Sequence, residues 1–427
     1  MSELPVLPAS RREPLEGARA VHLCLLLGRT LFQFGATTQR IIDSIARLAR
    51  FLECQVEVLV SYDALMITVH DGPETFRTRI DSARGVAGLN LLGLICVSEL
   101  VRGLSSSRAT PEEVEQSLCA IRDAPPGHRV LVQTLAAGCA GAGFCIVNGG
   151  DPVSWGCSFL ATAFIFAMRR RLAAACFNVQ MTFFAISFGG SLLGGVLARL
   201  AHTATPVIAL VAPSLFLVPG VPMINGGVDI VRNHVTVGLA RLGFTLAVLM
   251  ALSLGVGLAV PFFSLRIGPP FSLPGAWQVG LVSVAGAIAA GSLACLNNGR
   301  LSLMGLCAFG GLIGRLVRAL LTLAGLDLIS ASLLGTLCSS LIVSFVSDRF
   351  RWPAVVTSVM AALPMVPGYF AITGLHSLLS FAESATADPA QLATGLQALA
   401  RALFISIALV VGVIGPVIVL QHKSERI

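Results

Sequence analysis

PVIALVAPSLFLVPGVPMINGGVDIV, residues 206–231, is the least regular apolar run in the chain. Its length suits a membrane-crossing helix, which needs about 20 residues for roughly 30 Å of hydrocarbon. Its composition argues for a broken one. Pro213, Pro219 and Pro222 each remove a backbone donor, and Gly220, Gly226 and Gly227 loosen the helix between them. A second run, VVTSVMAALPMVPGYFAITGLHSLLSF at 355–381, is interrupted in the same way by Pro364, Pro367, Gly368 and Gly374. Non-helical backbone at membrane depth is tolerated only against protein or a water-lined cavity. Two such breaks predict one central site, where exposed carbonyls and half-helix N-termini receive a zwitterion. Ordinary proline kinks that serve packing are the plainer alternative.

Working outward, apolar segments near 130–148, 152–168, 178–199, 206–231, 236–262, 277–296, 301–323, 328–346, 353–380 and 393–420 predict about ten spans. The segments also repeat. GAGFCIVNG at 141–149 is similar to GSLACLNNG at 291–299, Leu217–Gly220 to Met365–Gly368, and Ile224-Asn225-Gly226 to Ile372-Thr373-Gly374. Five spans per unit is an odd number, so the second unit enters from the opposite face, the inverted-repeat plan of many secondary transporters. With the N-terminus inside, Arg169–Arg171, Arg232, Arg300, Arg349/Arg351 and Lys423/Arg426 fall on the cytoplasmic side. Glu383 and Asp388 fall outside, and Arg199 and Arg266 are minor exceptions.

Composition agrees with a bilayer as solvent. Of 427 residues, 55% are apolar and 12% charged, against about a quarter charged in a soluble domain. The formal charge of +7 comes from scattered Lys and Arg with no basic stripe interleaved with aromatics, which argues against nucleic acid. The first twenty residues lack a signal-peptide core, so the N-terminal region is expected in the cytosol. Eleven cysteines include no CxxC pair and no metal spacing; Cys139, Cys145, Cys295 and Cys338 read as small buried thiols.

Most of the charge lies before about Arg129, in a stretch that predicts a small α/β domain. Helical periodicity covers 15–34 and 37–52, the alternating stretches QVEVLVS, ALMITVH and ETFRTRI predict an antiparallel sheet, and helices follow at 86–103 and 110–123. The last opens with Thr110 as cap, Pro111 at the first helical position and Glu112 and Glu113 at the dipole's positive end. His22, Cys24, Cys54, His70 and Asp71 have no spacing that specifies a nucleophile or metal site.

Candidate binding groups cluster at the breaks: Pro219, Gly220, Pro222 and Asn225 in the first, Pro367, Gly368 and Thr373 in the second. Asn225 and Asp229 are one helical turn apart. A carboxylate in apolar surroundings has raised proton affinity, which makes Asp229 a candidate coupling group; pairing with Arg232 or Arg241 is the structural alternative. Asn148, Asn297 and Asn298 end the paired first segments and either line the pathway or simply terminate helices. Arg315 and Arg318 share one face of the seventh segment, where snorkelling to the interface is the favoured expectation over anion binding.

Several of these stretches together resemble the threonine/serine exporter (ThrE-type) family over nearly the whole chain. They are GATTQRIIDSIARL at 35–48, Thr78-Arg79-Ile80, LVPGVPMINGGVDIV at 217–231, GLARL at 238–242 and RWPAVVTSVMAALPMVPG at 351–368. The resemblance implies a hydrophilic N-terminal domain before two related five-helix units, and export of threonine, serine or similar small amino acids. Thr37 stands where that family usually has an acid, and Gly243 and Phe244 follow GLARL where an acidic residue is common. Related proteins also handle small dicarboxylates.

The expectation is thus an α-helical polytopic membrane protein with about ten transmembrane helices in two inverted five-helix repeats, preceded by a small cytosolic α/β domain. Domains fall at 1–128, 129–264 and 265–427. The expected partners are the bilayer of a bacterial inner membrane, a proton and a small polar metabolite, namely threonine, serine or a carboxylate. No cofactor, metal or nucleic acid is expected, both termini lie in the cytoplasm, and homo-oligomerisation is open. A dicarboxylate exporter of the same architecture and a membrane-anchored hydrolase are the alternatives.

Overall fold

The computed structural model describes residues 17–70, 76–82, 89–104, 109–174, 178–263, 270–383 and 389–424. Asp71, Arg266, Asp388 and Arg426 lie outside the described residues. The chain divides into two compact units, Met1–Ala87 with Cys96–Ala124, and Gly88–Ile95 with Pro125–Ile427.

In the first unit, α1 (Gly17–Gln33) and α2 (Thr38–Phe51) precede strands β1 (Val56–Val60), β2 (Ala64–His70) and β3 (Phe76–Ser82). The sheet is antiparallel in the order β1-β2-β3, with Val58 opposite Ile67 and Ile67 opposite Arg79. Leu65, Ile67 and Val69 are buried while Met66 and Thr68 point to the other face, the period-two alternation visible in ALMITVH. The buried stripes Leu23, Leu27, Leu31 on α1 and Ile41, Ile45, Leu48 on α2 recur every three or four residues. Against β2, α1 comes close enough that a Cβ on Gly28 would stand 2.3 Å from Leu65 Cδ2. Burial also pushes the Cys24 thiol up to about 12, aided by Cys54, so it is an inert packing group.

Helices α3 (Leu91–Gly103) and α4 (Pro111–Asp123) follow. The expected cap is present as a full capping box: the Glu113 amide donates to Thr110 Oγ1 at 3.3 Å, and the Thr110 amide donates to Glu113 Oε2 at 2.9 Å. Thr110→Ala is expected to destabilise the first turn by about 1 kcal/mol. Amide exchange across residues 112–115, followed by mass spectrometry, should then accelerate about fivefold relative to α1.

The second unit runs α5 (Val130–Val147), α6 (Pro152–Ala174), α7 (Val179–Leu200), α8 (Pro206–Leu215), α9 (Gly220–Val231) and α10 (Val235–Ala259). It continues with α11 (Gly275–Leu296), α12 (Leu301–Leu323), α13 (Leu328–Arg349), α14 (Ala354–Ala362), α15 (Gly368–Glu383) and α16 (Pro389–Ser424). Among the described residues, seven helices are long and apolar enough to cross a membrane, and two bent pairs raise the number to nine. The remaining expected segment, the second at 152–168, is the helix α6, long enough to cross but less apolar than the seven. It carries a polar stripe: Ser154, Ser158 and Thr162 recur every four residues and are fully buried. Asp151 heads this stripe, accepting from Ser154 Oγ at 2.5 Å, from Thr205 Oγ1 at 2.7 Å and from Thr203.

Two details correct the reading of the first segments. The ends of α5 and α11 match, but one residue away from the sequence alignment. Gly150 N–H donates to Cys145 O at 2.9 Å and Gly299 N–H to Ala294 O at 2.8 Å, so Asn148 is the counterpart of Asn297, not Asn298. The residue between them takes a left-handed conformation in both, Gly149 at φ +84° and Asn298 at φ +58°. Of the four thiols expected to be buried, Cys145 and Cys295 are, Cys139 is half-buried and Cys338 is exposed on its helix.

Candidate functional site

The breaks in the two proline-rich runs are built alike. In the first, α8 and α9 are bent by 57°, and the Gly220 amide donates two residues back to Val218 O at 2.8 Å. In the second, α14 and α15 are bent by 52°, and the Gly368 amide donates to Val366 O at 2.9 Å. Pro219 and Pro367 lack the amide that would continue each helix, so the chain turns before α9 and α15 begin. The new helices are then closed by Met223 N–H to Pro219 O and Ala371 N–H to Pro367 O.

The breaks also meet. A Cβ on Gly220 would stand 2.7 Å from Leu363 Cδ2 and 3.3 Å from Val366 Cγ2, and one on Gly368 would stand 3.0 Å from Val218 Cγ2. Glycine at both crossings lets the interrupted backbones approach each other. Above them lies a cavity of about 700 Å³. Leu215, Phe216, Val218 and Gly220 line it from the first break, Leu363 to Phe370 from the second, and Phe144, Asn148 and Gly149 from the end of α5. Its rim includes the exposed Ser272, Leu273 and Leu323.

Arg315 and Arg318 also line the cavity, and they correct the snorkelling expectation. They are 8% and 9% exposed, so neither guanidinium reaches out to an interface. Glycines on the flanking helices make room for their stems. A Cβ on Gly286 of α11 would lie 2.4 Å from Arg315 Cγ, and one on Gly335 of α13 would lie 3.2 Å from Arg318 Cβ. Arg318 Nη1 donates to Met365 O in the second break at 3.2 Å, whereas Arg315 Nε has no hydrogen-bond partner.

The sequence-derived candidates divide. Asn148, Gly220, Pro367 and Gly368 line this cavity; Pro219, Pro222, Asn225, Asp229, Thr373 and Asn298 are not among its lining residues. Thr373 Oγ1 donates to Tyr369 O at 2.7 Å, within its own helix. Asn225 and Asp229 are buried on α9, and Asp229 forms an ion pair with Arg241 of α10 at 3.1 Å. Asp229 lies nine positions after Gly220, about 13.5 Å along the helix axis. Asn298 Oδ1 is buried without a partner. In the first unit, His22 Nε2 lies 3.2 Å from Glu115 Oε1, and among the described residues no cluster of His, Cys, Asp and Glu could hold a metal.

Apolar helices that surround two interrupted ones, with a cavity where the interruptions touch, define a multi-pass membrane transport protein. Residues 22–263 match the family described as "Putative threonine/serine exporter" (ThrE), and residues 282–419 match "Threonine/Serine exporter, ThrE" (ThrE_2). The chain belongs to the threonine/serine exporter (ThrE) family. It is 30% identical over 252 residues to the "Probable succinate transporter subunit YjjP" of Klebsiella aerogenes, covering 58% of this chain and 96% of that protein. The protein of the same name in Escherichia coli K12 is 30% identical over 255 residues, 59% of this chain and 98% of that one. No solved structure matches the chain at a significant level.

Proposed function

We propose that this chain is a secondary transporter that exports a small carboxylate-bearing metabolite through the cavity at its two helix breaks. The observation that carries this reading is the close approach of Gly220 to Val366 and of Gly368 to Val218, with both helix interruptions lining one cavity. The N-termini of α9 and α15 both begin in its lining, so their positive dipole ends face any anionic group held there. Threonine and serine, which the family description names, and succinate, which the relatives' names carry, share the carboxylate that such a site receives. The relatives are called subunits and match little more than half of this chain, which carries the ThrE_2-matching stretch in the same polypeptide.

The similar bends and the matched ends of α5 and α11 support a repeat of one unit, and five spans in each unit would make that repeat an inverted one. With α6 as a tenth span, positive-inside placement of Arg169–Arg171, Arg300 and Arg349 supports an inner-membrane protein with both termini, and the first unit, in the cytoplasm. In that orientation α12 runs outward from Arg300, and the cavity rim at Leu273 and Leu323 opens to the outside. Proton antiport completes the proposal, with Asp229 as coupling group: its protonation would release Arg241 and loosen α9 from α10.

Substrate-loaded proteoliposomes test it. Labelled threonine, serine and succinate should be released unchanged, at least one of them about tenfold faster than from protein-free vesicles, and an outward pH difference should change that rate. Release of a chemically altered product would replace the transporter with the membrane-anchored hydrolase. Leakage at the protein-free rate for every cargo would overturn the proposal.

A further inference from the structure

The cavity contains two positive charges and, among its lining residues, no carboxylate. We propose that Arg315 grips a substrate carboxylate, that Arg318 positions the second break beside it, and that the site takes a small dianion in preference to a zwitterion. This rests on the export reading above and names the substrate class of that same site.

A buried guanidinium without a counter-charge is costly, whereas one that closes on a ligand's carboxylate recovers that cost. Arg315 is more than nine-tenths buried, lines the cavity and has an Nε with no partner. The planar fork of Nε and one Nη matches the two oxygens of a carboxylate, a geometry lysine cannot reproduce. Arg318 is engaged differently, because its Nη1 donates to Met365 O in the bend between α14 and α15. It therefore fixes the interrupted backbone while its charge adds to the field. An amino acid would bring its ammonium group into that field with no acid to receive it. A four-carbon dicarboxylate brings a second negative charge instead, which the other guanidinium and the start of α15 at Gly368 favour.

The test uses purified full-length protein in detergent, with binding read by calorimetry and by thermal shift, and succinate, monomethyl succinate and L-threonine as probes. Succinate should bind, monomethyl succinate about tenfold more weakly and threonine more weakly still. R315Q should weaken succinate binding by about a hundredfold, and R315K should restore only part of it. R318Q should lower the maximal transport rate and weaken succinate binding less than R315Q does, because it acts mainly through the break, and R318K should rescue both. Succinate binding by R315Q equal to wild type would overturn the role of Arg315, even if vesicles export succinate. Tighter binding of threonine than of succinate would overturn the dianion preference and leave the export reading intact. Failure of all three probes to bind would overturn the site. If R315Q does not fold, phenylglyoxal modification of the wild type decides instead. Succinate should slow modification of Arg315 and leave the exposed Arg300 unchanged, and equal modification of Arg315 with and without succinate would overturn the assignment.

Discussion

Asp229→Ala is expected to cost about 3–5 kcal/mol of stability, the largest single-residue effect outside the cavity. Asp229 is fully buried on α9, and its carboxylate lies 3.1 Å from an Arg241 side chain that is 11% exposed on α10. Removing the acid leaves a guanidinium desolvated without that counter-charge. Arg241→Ala should cost a similar amount for the mirror-image reason, and the double variant should be less unstable than the sum of the two. Thermal unfolding in detergent at fixed protein concentration measures all three. Costs that simply add would show that the pair is not coupled. Asp229→Asn separates packing from proton coupling, because it keeps the shape and removes the charge. Per folded molecule, it should lose pH-gradient-driven export and retain passive exchange of substrate. Normal gradient dependence in a well-expressed Asp229→Asn protein would remove Asp229 from the coupling role and leave the ion pair as a strut between α9 and α10.

Local patterns made much of this architecture legible. ALMITVH alternates, and so forms β2; Thr110, Pro111 and Glu113 spell a helix start, and the capping box forms there. The breaks were visible because proline cannot donate, whatever surrounds it. Side-chain burial was not legible in the same way. Arg315 and Arg318 look like interface residues near a helix end, and what buries them is space supplied by Gly286 and Gly335, on other helices. Spacing alone also left Asp229 equally placed for Arg232 and Arg241; the crossing of α9 and α10 brings Arg241 to it. The alignment of Asn148 with Asn298 matched letters. Helix-end hydrogen bonds, which count residues back to the last carbonyl, match Asn148 with Asn297 instead.

The same dependence on distant glycines makes Gly311→Val the second large expected effect. At the crossing of α11 and α12 the backbones touch reciprocally. A Cβ on Gly311 would stand 2.7 Å from Gly286 O and 2.6 Å from Ala290 Cβ, and one on Gly286 would stand 2.9 Å from Gly311 O. Backbone cannot yield as a flexible side-chain end does, so α12 must move away from α11. Overpacking of this kind costs about 1–3 kcal/mol, and here the displaced segment begins four residues before Arg315. Gly311→Val should therefore lower the thermal midpoint and also weaken anion binding in whatever protein remains folded, since the Arg315 stem loses its place against Gly286. Gly305→Val on the same helix is the control, because nothing lies within 4 Å of its added Cβ. It should change stability by no more than about 0.5 kcal/mol and leave binding unchanged. If Gly311→Val binds its anion as tightly as Gly305→Val does, the α11–α12 crossing does not set the position of Arg315, and the cavity tolerates a shift of α12.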